Sequence, residues 1–241
     1  MLKKVILLVM IVGIAGVLFA KEHEAKKEDS PFMKYYKNQT DGNFIEAYNY
    51  YMPLMNDKEK GEDAKINFMY IHTIAAEGII DMLKKDFDNL SPRSKFSLAN
   101  MLMEKGELDE AVAYYEKINK DMPNWSCPWR HKGEALFKQK KLKDAEISLK
   151  QAIETRKEHY DAYIMLADVQ KELKKYAEAL KTFETGISYK GKDIEDPEEE
   201  VRPTDEMFLH IELLKLNGKD YSEVEKKLKK IAPDDDRWKK F

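Results

Sequence analysis

From Pro31 almost to the last residue, apolar side chains recur at steps of three and four, the spacing that lines one face of an α-helix. No stretch alternates apolar and polar with period two for long enough to make a strand. The punctuation is helical too. Ser91-Pro92 predicts a helix start, Gly106 interrupts the pattern, and Pro123-Asn124 closes the following helix. The pattern predicts an all-α protein, either one bundle or an array of helix pairs.

The first twenty residues follow another rule. A short basic start with Lys3 and Lys4 precedes fifteen uncharged, mostly apolar residues, Val5 to Phe19. Ala20 then precedes the charged run Lys21-Glu22-His23-Glu24. This order predicts a secretory signal peptide over residues 1–20, cleaved after Ala20. The alternative is a retained N-terminal anchor, although Val5 to Ala20 would give only about 24 Å of helix against a hydrocarbon core of roughly 30 Å. Either way the body is expected to be exported, to the periplasm or the cell surface. Residues 21–30 are a charged linker.

Self-similarity separates the bundle from the array. With a shift of 34, Ala99, Gly133 and Ala167 form one column of small residues, and Ala111, Ala145 and Ala179 a second. Leu108, Leu142 and Tyr176 stay apolar, Tyr115, Leu149 and Phe183 stay bulky, and Glu110, Asp144 and Glu178 stay acidic. Only 18 of the 241 residues are Ala, so several columns in one phase do not arise from composition alone. A period of 34 with two helices per unit is the mark of a solenoid. The small columns are expected where the two helices of a unit cross, because a larger side chain would push their axes beyond the usual 8–10 Å or so.

These three units, 92–125, 126–159 and 160–193, resemble tetratricopeptide repeats. Trp129, Gly133, Leu136, Leu142, Ala145 and Ala152 make the middle unit the fullest likeness. Lys95 stands where the family usually has Trp or Tyr, Lys132 where it has Leu, and Gln170 where it has an apolar residue; the phase survives all three. The resemblance implies an α-α superhelix of helix pairs, with the first helix of each unit lining a concave inner face. Residues 31–91 are expected to hold divergent helical repeats, because Gly42, Phe44, Ala47 and Tyr51 precede Gly106, Leu108, Ala111 and Tyr115 by 64, short of two full periods. Residues 92–193 hold the three clear repeats, 194–205 an acidic loop, and 206–241 a capping helix pair and tail with Gly218 in its turn. Asp234-Asp235-Asp236 lacks the Gly and Glu of a calcium loop and is expected to be a frayed, solvated end.

Charge and candidate chemistry narrow the function. Without Lys3 and Lys4 the chain has 40 basic and 45 acidic residues, a net charge of −5, which argues against nucleic acid as a partner. It also leaves membrane contact only through residues 1–20, if they are retained. The single Cys127 cannot form an intramolecular disulfide. Cys127, His131 and Glu134 would share a helix face as metal ligands could, but no second His or Cys cluster completes a site. There is no Gly-rich phosphate loop and no Gly-x-Ser-x-Gly elbow. No cofactor, metal or catalytic residue is therefore expected.

In place of an active site, the resemblance implies a partner-binding inner face drawn from fixed positions of each unit. Here these are Arg93, Phe96, Asn100 and Met103 in the first, Arg130, His131, Glu134, Phe137 and Lys138 in the second, and Ile164, Asp168 and Lys171 in the third. Aromatic, Met and Arg side chains suit an interaction surface. The competing reading is that Phe96, Phe137 and Ile164 simply pack against neighbouring helices. The expected function is a non-catalytic scaffold of the cell envelope that binds a protein or peptide segment in its concave groove. The alternatives are a membrane-anchored envelope assembly or secretion factor, and an enzyme or enzyme-activating subunit with an unrecognised carboxylate site.

Overall fold

The computed structural model describes residues 34, 41–54, 61, 64, 65, 67, 68, 78–192 and 201–240. The signal peptide and linker expected at 1–30 lie outside them, as does the stretch 194–200 of the expected acidic loop. Every regular element among the described residues is helical. None of these helices is long and apolar enough to cross a membrane. The chain forms two compact units, Met1–Leu98 and Ala99–Phe241.

The first unit holds α1 (Asp41–Tyr51), α2 (Ile79–Lys85) and the opening turns of α3 (Pro92–Glu104). Phe44, Ala47 and Tyr48 of α1 are fully buried. The Tyr48 ring lies 5.1 Å from that of Phe68, and its hydroxyl donates to Ser97 Oγ at 2.8 Å. Burial pushes this phenol up to about 12 against the opposing pull of that hydrogen bond. The expected start at Ser91-Pro92 is built as a cap. Ser91 Oγ accepts from the Ser94 N–H at 3.2 Å, satisfying a donor the helix cannot, and the Ser91 N–H donates to Asn49 Oδ1 at 2.6 Å.

The second unit continues α3 and adds α4 (Leu108–Asp121), α5 (Ser126–Lys138), α6 (Leu142–Thr155), α7 (Tyr160–Glu172), α8 (Tyr176–Tyr189), α9 (Pro203–Leu216) and α10 (Ser222–Ile231). A 3₁₀ turn, Asp236–Lys240, follows. Successive helices from α4 to α10 pack on one another. One core joins Leu136, Ala145 and Leu149 to Leu166 and Val169 of the next pair. Another joins Tyr160, Ala179 and Phe183 to Leu209 and Leu213. Each core thus spans neighbouring pairs, burying faces that one pair could not bury alone.

The turns between paired helices repeat in backbone detail. Gly106, Lys140, Lys174 and Gly218 all have positive φ, at 85°, 62°, 62° and 65°. After each one the next N–H reaches back five residues: Glu107 to the Leu102 carbonyl, Lys141 to Leu136, Lys175 to Gln170 and Lys219 to Leu214, all at 2.9 Å. This is the left-handed C-terminal closure that satisfies a helix's last carbonyls. The first three positions are 34 apart and the fourth lies 44 further on, the excess falling in the segment before α9.

The pairs cross where the small columns predict. A Cβ on Gly133 would stand 2.6 Å from Leu149 Cγ and 3.4 Å from the Ala145 carbonyl oxygen. Gly186, which falls in the Ala152 column, is as tight: its Cβ would meet Tyr163 Cβ at 2.6 Å.

Two expectations at the C-terminal end are corrected. The loop expected to reach residue 205 gives way to α9 at Pro203, where a fixed φ and a missing N–H suit the first helical position. The tail around Asp234 to Asp236 is docked rather than frayed. Trp238 lies 5.0 Å from the Phe208 ring and donates Nε1–H to the Ala232 carbonyl at 2.8 Å. The Arg237 guanidinium sits 3.9 Å over Phe208 and bonds Asp205 at 2.7 Å. Asp234 and Asp236 stay exposed, and it is Trp238 and Arg237 that dock the tail on Phe208.

Candidate functional site

The first helices of the pairs in the second unit are α5, α7 and α9, and the candidate residues on α5 are joined to those of α3 by a polar chain. Tyr115 of α4 donates its hydroxyl to Asn100 Oδ1 at 2.6 Å, and its ring stacks on His131 with centroids 6.0 Å apart. His131 Nε2 lies 2.6 Å from Arg130 Nη2. Arginine can only donate, so Nε2 is the acceptor and the ring proton belongs on Nδ1, 3.8 Å from Glu134 Oε2. Arg130 Nη1 bonds Glu134 Oε2 at 3.1 Å, and Lys138 Nζ holds the other carboxylate oxygen at 2.8 Å. The i to i+4 spacing of Arg130, Glu134 and Lys138 brings the three heads together on one face.

Burial grades this chain. Arg130 is 4% exposed and His131 7%, so the two form its buried root, whereas the Lys138 head is open to solvent. A buried guanidinium beside a carboxylate is destabilising to break, because the survivor keeps its desolvation cost. On α7, Lys171 bonds Asp168 at 2.8 Å and Glu212 of α9 at 2.6 Å. Burial pulls the Lys171 ammonium down, but the Asp168 and Glu212 carboxylates outweigh it and raise it.

The remaining candidates divide. Ile164 belongs to the core shared by α7, α8 and α9, which corrects its assignment to a free surface: its side chain fills the space beside Gly186. Met103 is likewise buried, its sulfur 4.0 Å from the Tyr115 hydroxyl. Phe137 is half-buried, packed on the Leu136 core with the Lys140 ammonium 5.6 Å over its ring. Arg93 is exposed and Phe96 half-buried, both within the first unit. Cys127 does not join His131 and Glu134: Arg156 Nη2 contacts its sulfur at 3.7 Å, and no metal-binding group of three occurs among the described residues.

Sequence reasoning missed Tyr115 and Glu212. Tyr115 reads as a bulky core column, and nothing in its spacing announces the hydrogen bond to Asn100. Glu212 falls outside the 34-residue phase because of the extra residues before α9. His159, without ligands nearby in sequence, is buried against the Ser126 hydroxyl, which also donates to the Ala152 carbonyl at 2.8 Å. Among the described residues, the carboxylates with resolved shifts, Glu146, Asp220 and Asp235, are held below their ordinary values. Lys150 and Lys175 outweigh burial at Glu146, the Ser222 N–H and hydroxyl act on Asp220, and Arg237 acts on Asp235.

Comparison with known proteins places this geometry. Residues 136–196 and 92–120 each match a tetratricopeptide repeat family. Pseudomonas aeruginosa PilF is similar in structure at a TM-score of 0.59 with 15% identity, over 82% of this chain and 97% of its own. PilW, described as a widely conserved type IV pilus biogenesis factor, is similar at 0.55 with 19% identity, over 87% and 94%. MamA is similar at 0.50 with 19% identity, over 81% and 96%. These likenesses are of fold. No curated protein matches the sequence.

Proposed function

We propose, on the premise that this chain is a tetratricopeptide-repeat protein, that it is a non-catalytic scaffold of the cell envelope that holds a partner protein's segment along its first helices. The observation that carries this reading is the graded polar chain on α5: Arg130 and His131 fix Glu134 from below, and Glu134 fixes the solvent-open Lys138. Side chains already tethered lose less entropy when a partner arrives. Phe137 and Met165, both half-buried, supply apolar contact beside them. The apolar start of the chain supports the envelope location. A second reading, an anchored envelope assembly or secretion factor, is favoured by the fold shared with PilW and differs in keeping residues 1–20.

The test is capture of partners from the native envelope, followed by binding measurements on the identified protein. Because Arg130 is buried against Glu134, Arg130→Ala reports stability before it reports binding. The informative variant is Phe137→Ala with Lys138→Glu, expected to weaken binding by about 2 kcal/mol or more. Lys143→Ala, on the exposed side of α6, leaves binding unchanged. Full affinity in the double variant refutes the inner face as the docking site.

A further inference from the structure

A cleft of about 360 Å³ opens between α6 and α8, on the side of the molecule that the proposed inner face does not use. Its floor comes from Tyr163 and Leu166 of α7 together with Ile153 of α6. At about 100° per residue, Leu166 lies roughly 140–160° around α7 from Asp168 and Lys171, and Tyr163 stands between the two directions. The second helices of two successive pairs make the walls, and the first helix between them is the base. The volume falls at the lower end of the roughly 300–1,000 Å³ typical of ligand sites, enough for a bulky side chain but not for a long segment.

The chemistry of the walls selects what such a side chain must bring with it. Lys150 is already engaged, 2.8 Å from Glu146 and 3.5 Å from Glu178, so it offers little to a newcomer. Glu154 on α6 and Lys181 on α8 differ: both are exposed, and neither makes an ion pair with another described residue. Tyr163 is 9% exposed, so its ring belongs to the base of the cleft, and its hydroxyl has no hydrogen-bond partner among the described residues. The site is therefore an apolar base, an unused phenol near it, and one unpaired charge of each sign on facing walls.

We propose that this cleft is a second docking site, independent of the inner face, for a protein segment that presents one bulky apolar anchor between a basic and an acidic residue. The anchor fills the space over Tyr163, Leu166 and Ile153; the basic residue meets Glu154 and the acidic residue meets Lys181. A scaffold with both sites holds two partners at once, one along the first helices α5, α7 and α9 and the other between the second helices α6 and α8.

The test uses the full chain and a blocked peptide, acetyl-Ala-Lys-Ala-Phe-Ala-Glu-Ala-amide, followed by methyl and backbone NMR at millimolar peptide. The expected result is saturable shifts at Ile153, Leu166, Thr182 and Thr185 with none on α5. Replacing the peptide's Phe by Ala lowers affinity about 30-fold. Glu154→Lys and Lys181→Glu each lower it about three- to fivefold, as exposed charge pairs do. Both side chains are exposed, so an unchanged helical signal confirms that these variants fold. Absence of shifts at those four residues, shifts on α5 instead, or equal binding by the Phe-to-Ala peptide overturns the proposal. Failure here leaves the inner-face reading standing, because that reading is tested with Phe137 and Lys138.

Discussion

The crossing of α5 with α6 and the pairing of α9 with α10 solve one packing problem with opposite materials. In the first, Gly133 has no side chain, Ala145 is fully buried, and Leu149 lies where a Cβ would need to be. In the second, Phe208, Ile211 and Leu228 form the core, Met207, Tyr221 and Val224 surround it, and Trp238 closes it from beyond the last helix. A pair inside the array is covered by neighbours on both sides, so its two helices can approach closely and leave bulk to the cores between pairs. The last pair lacks a following pair among the described residues, and large aromatic side chains with Arg237 take its place. Close approach and aromatic cover are alternative ways of excluding water from the same helix face.

The largest effects should come from filling the crossings. Gly186→Ala is expected to destabilise by about 2–3 kcal/mol, more than Gly133→Ala, when measured by thermal or denaturant unfolding. At Gly186 the obstacle is Tyr163 Cβ, which cannot move without its backbone, whereas at Gly133 it is the Leu149 side chain, which can turn. The reverse order would mean that the Leu149 side chain is held more firmly than the α7 backbone at Tyr163.

Trp238→Ala removes a ring that covers Phe208 and a hydrogen bond to Ala232, and should cost about 1–3 kcal/mol. Hydrogen exchange should rise in α9 and α10 and stay unchanged in α5 and α6. Uniform loosening would show that the cap and the crossings are one cooperative element.

The repeated turns give a smaller effect of opposite sign. Lys140 and Lys174 hold the left-handed conformation that Gly106 and Gly218 hold without strain. Lys140→Gly with Lys174→Gly should therefore stabilise the protein, by about 0.5–1 kcal/mol each, with some of the gain at Lys140 offset by its contact with Phe137. A lower melting temperature would break the equivalence of the four turns.

The smallest effect concerns His210, whose ring lies 4.7 Å from Phe183 between the last two pairs. Burial holds its folded-state value below 6.5, outweighing Glu184 and Glu206. The neutral ring's contribution is then complete above that ordinary value and is lost as pH falls toward the lower folded value. Unfolding free energy should decline on acidification through this window, and His210→Gln should flatten the slope.

The period of 34 and its columns determined the helix pairs and the crossings at Gly133 and Ala145, because close approach constrains residue size at fixed spacing, whereas the candidate face came only from the family resemblance. Ser91-Pro92 likewise fixed the start of α3, since a cap is a local arrangement of a few residues. Charge, composition and the missing motifs gave no support to nucleic acid, metal or known catalytic chemistry. Tertiary structure alone decided the rest. It put Ile164 and Met103 inside, made Arg130 and His131 the root of a polar chain, and brought Glu212 to Lys171 from 41 residues away. It gave Lys140 and Lys174 a backbone conformation that their side chains do not suggest, and it docked Arg237 and Trp238 beyond the three aspartates onto Phe208. The physical reason is range. Size and capping act between residues whose spacing the helix itself fixes, whereas burial of a charge and the choice of its partner depend on which surfaces the packed helices leave in contact.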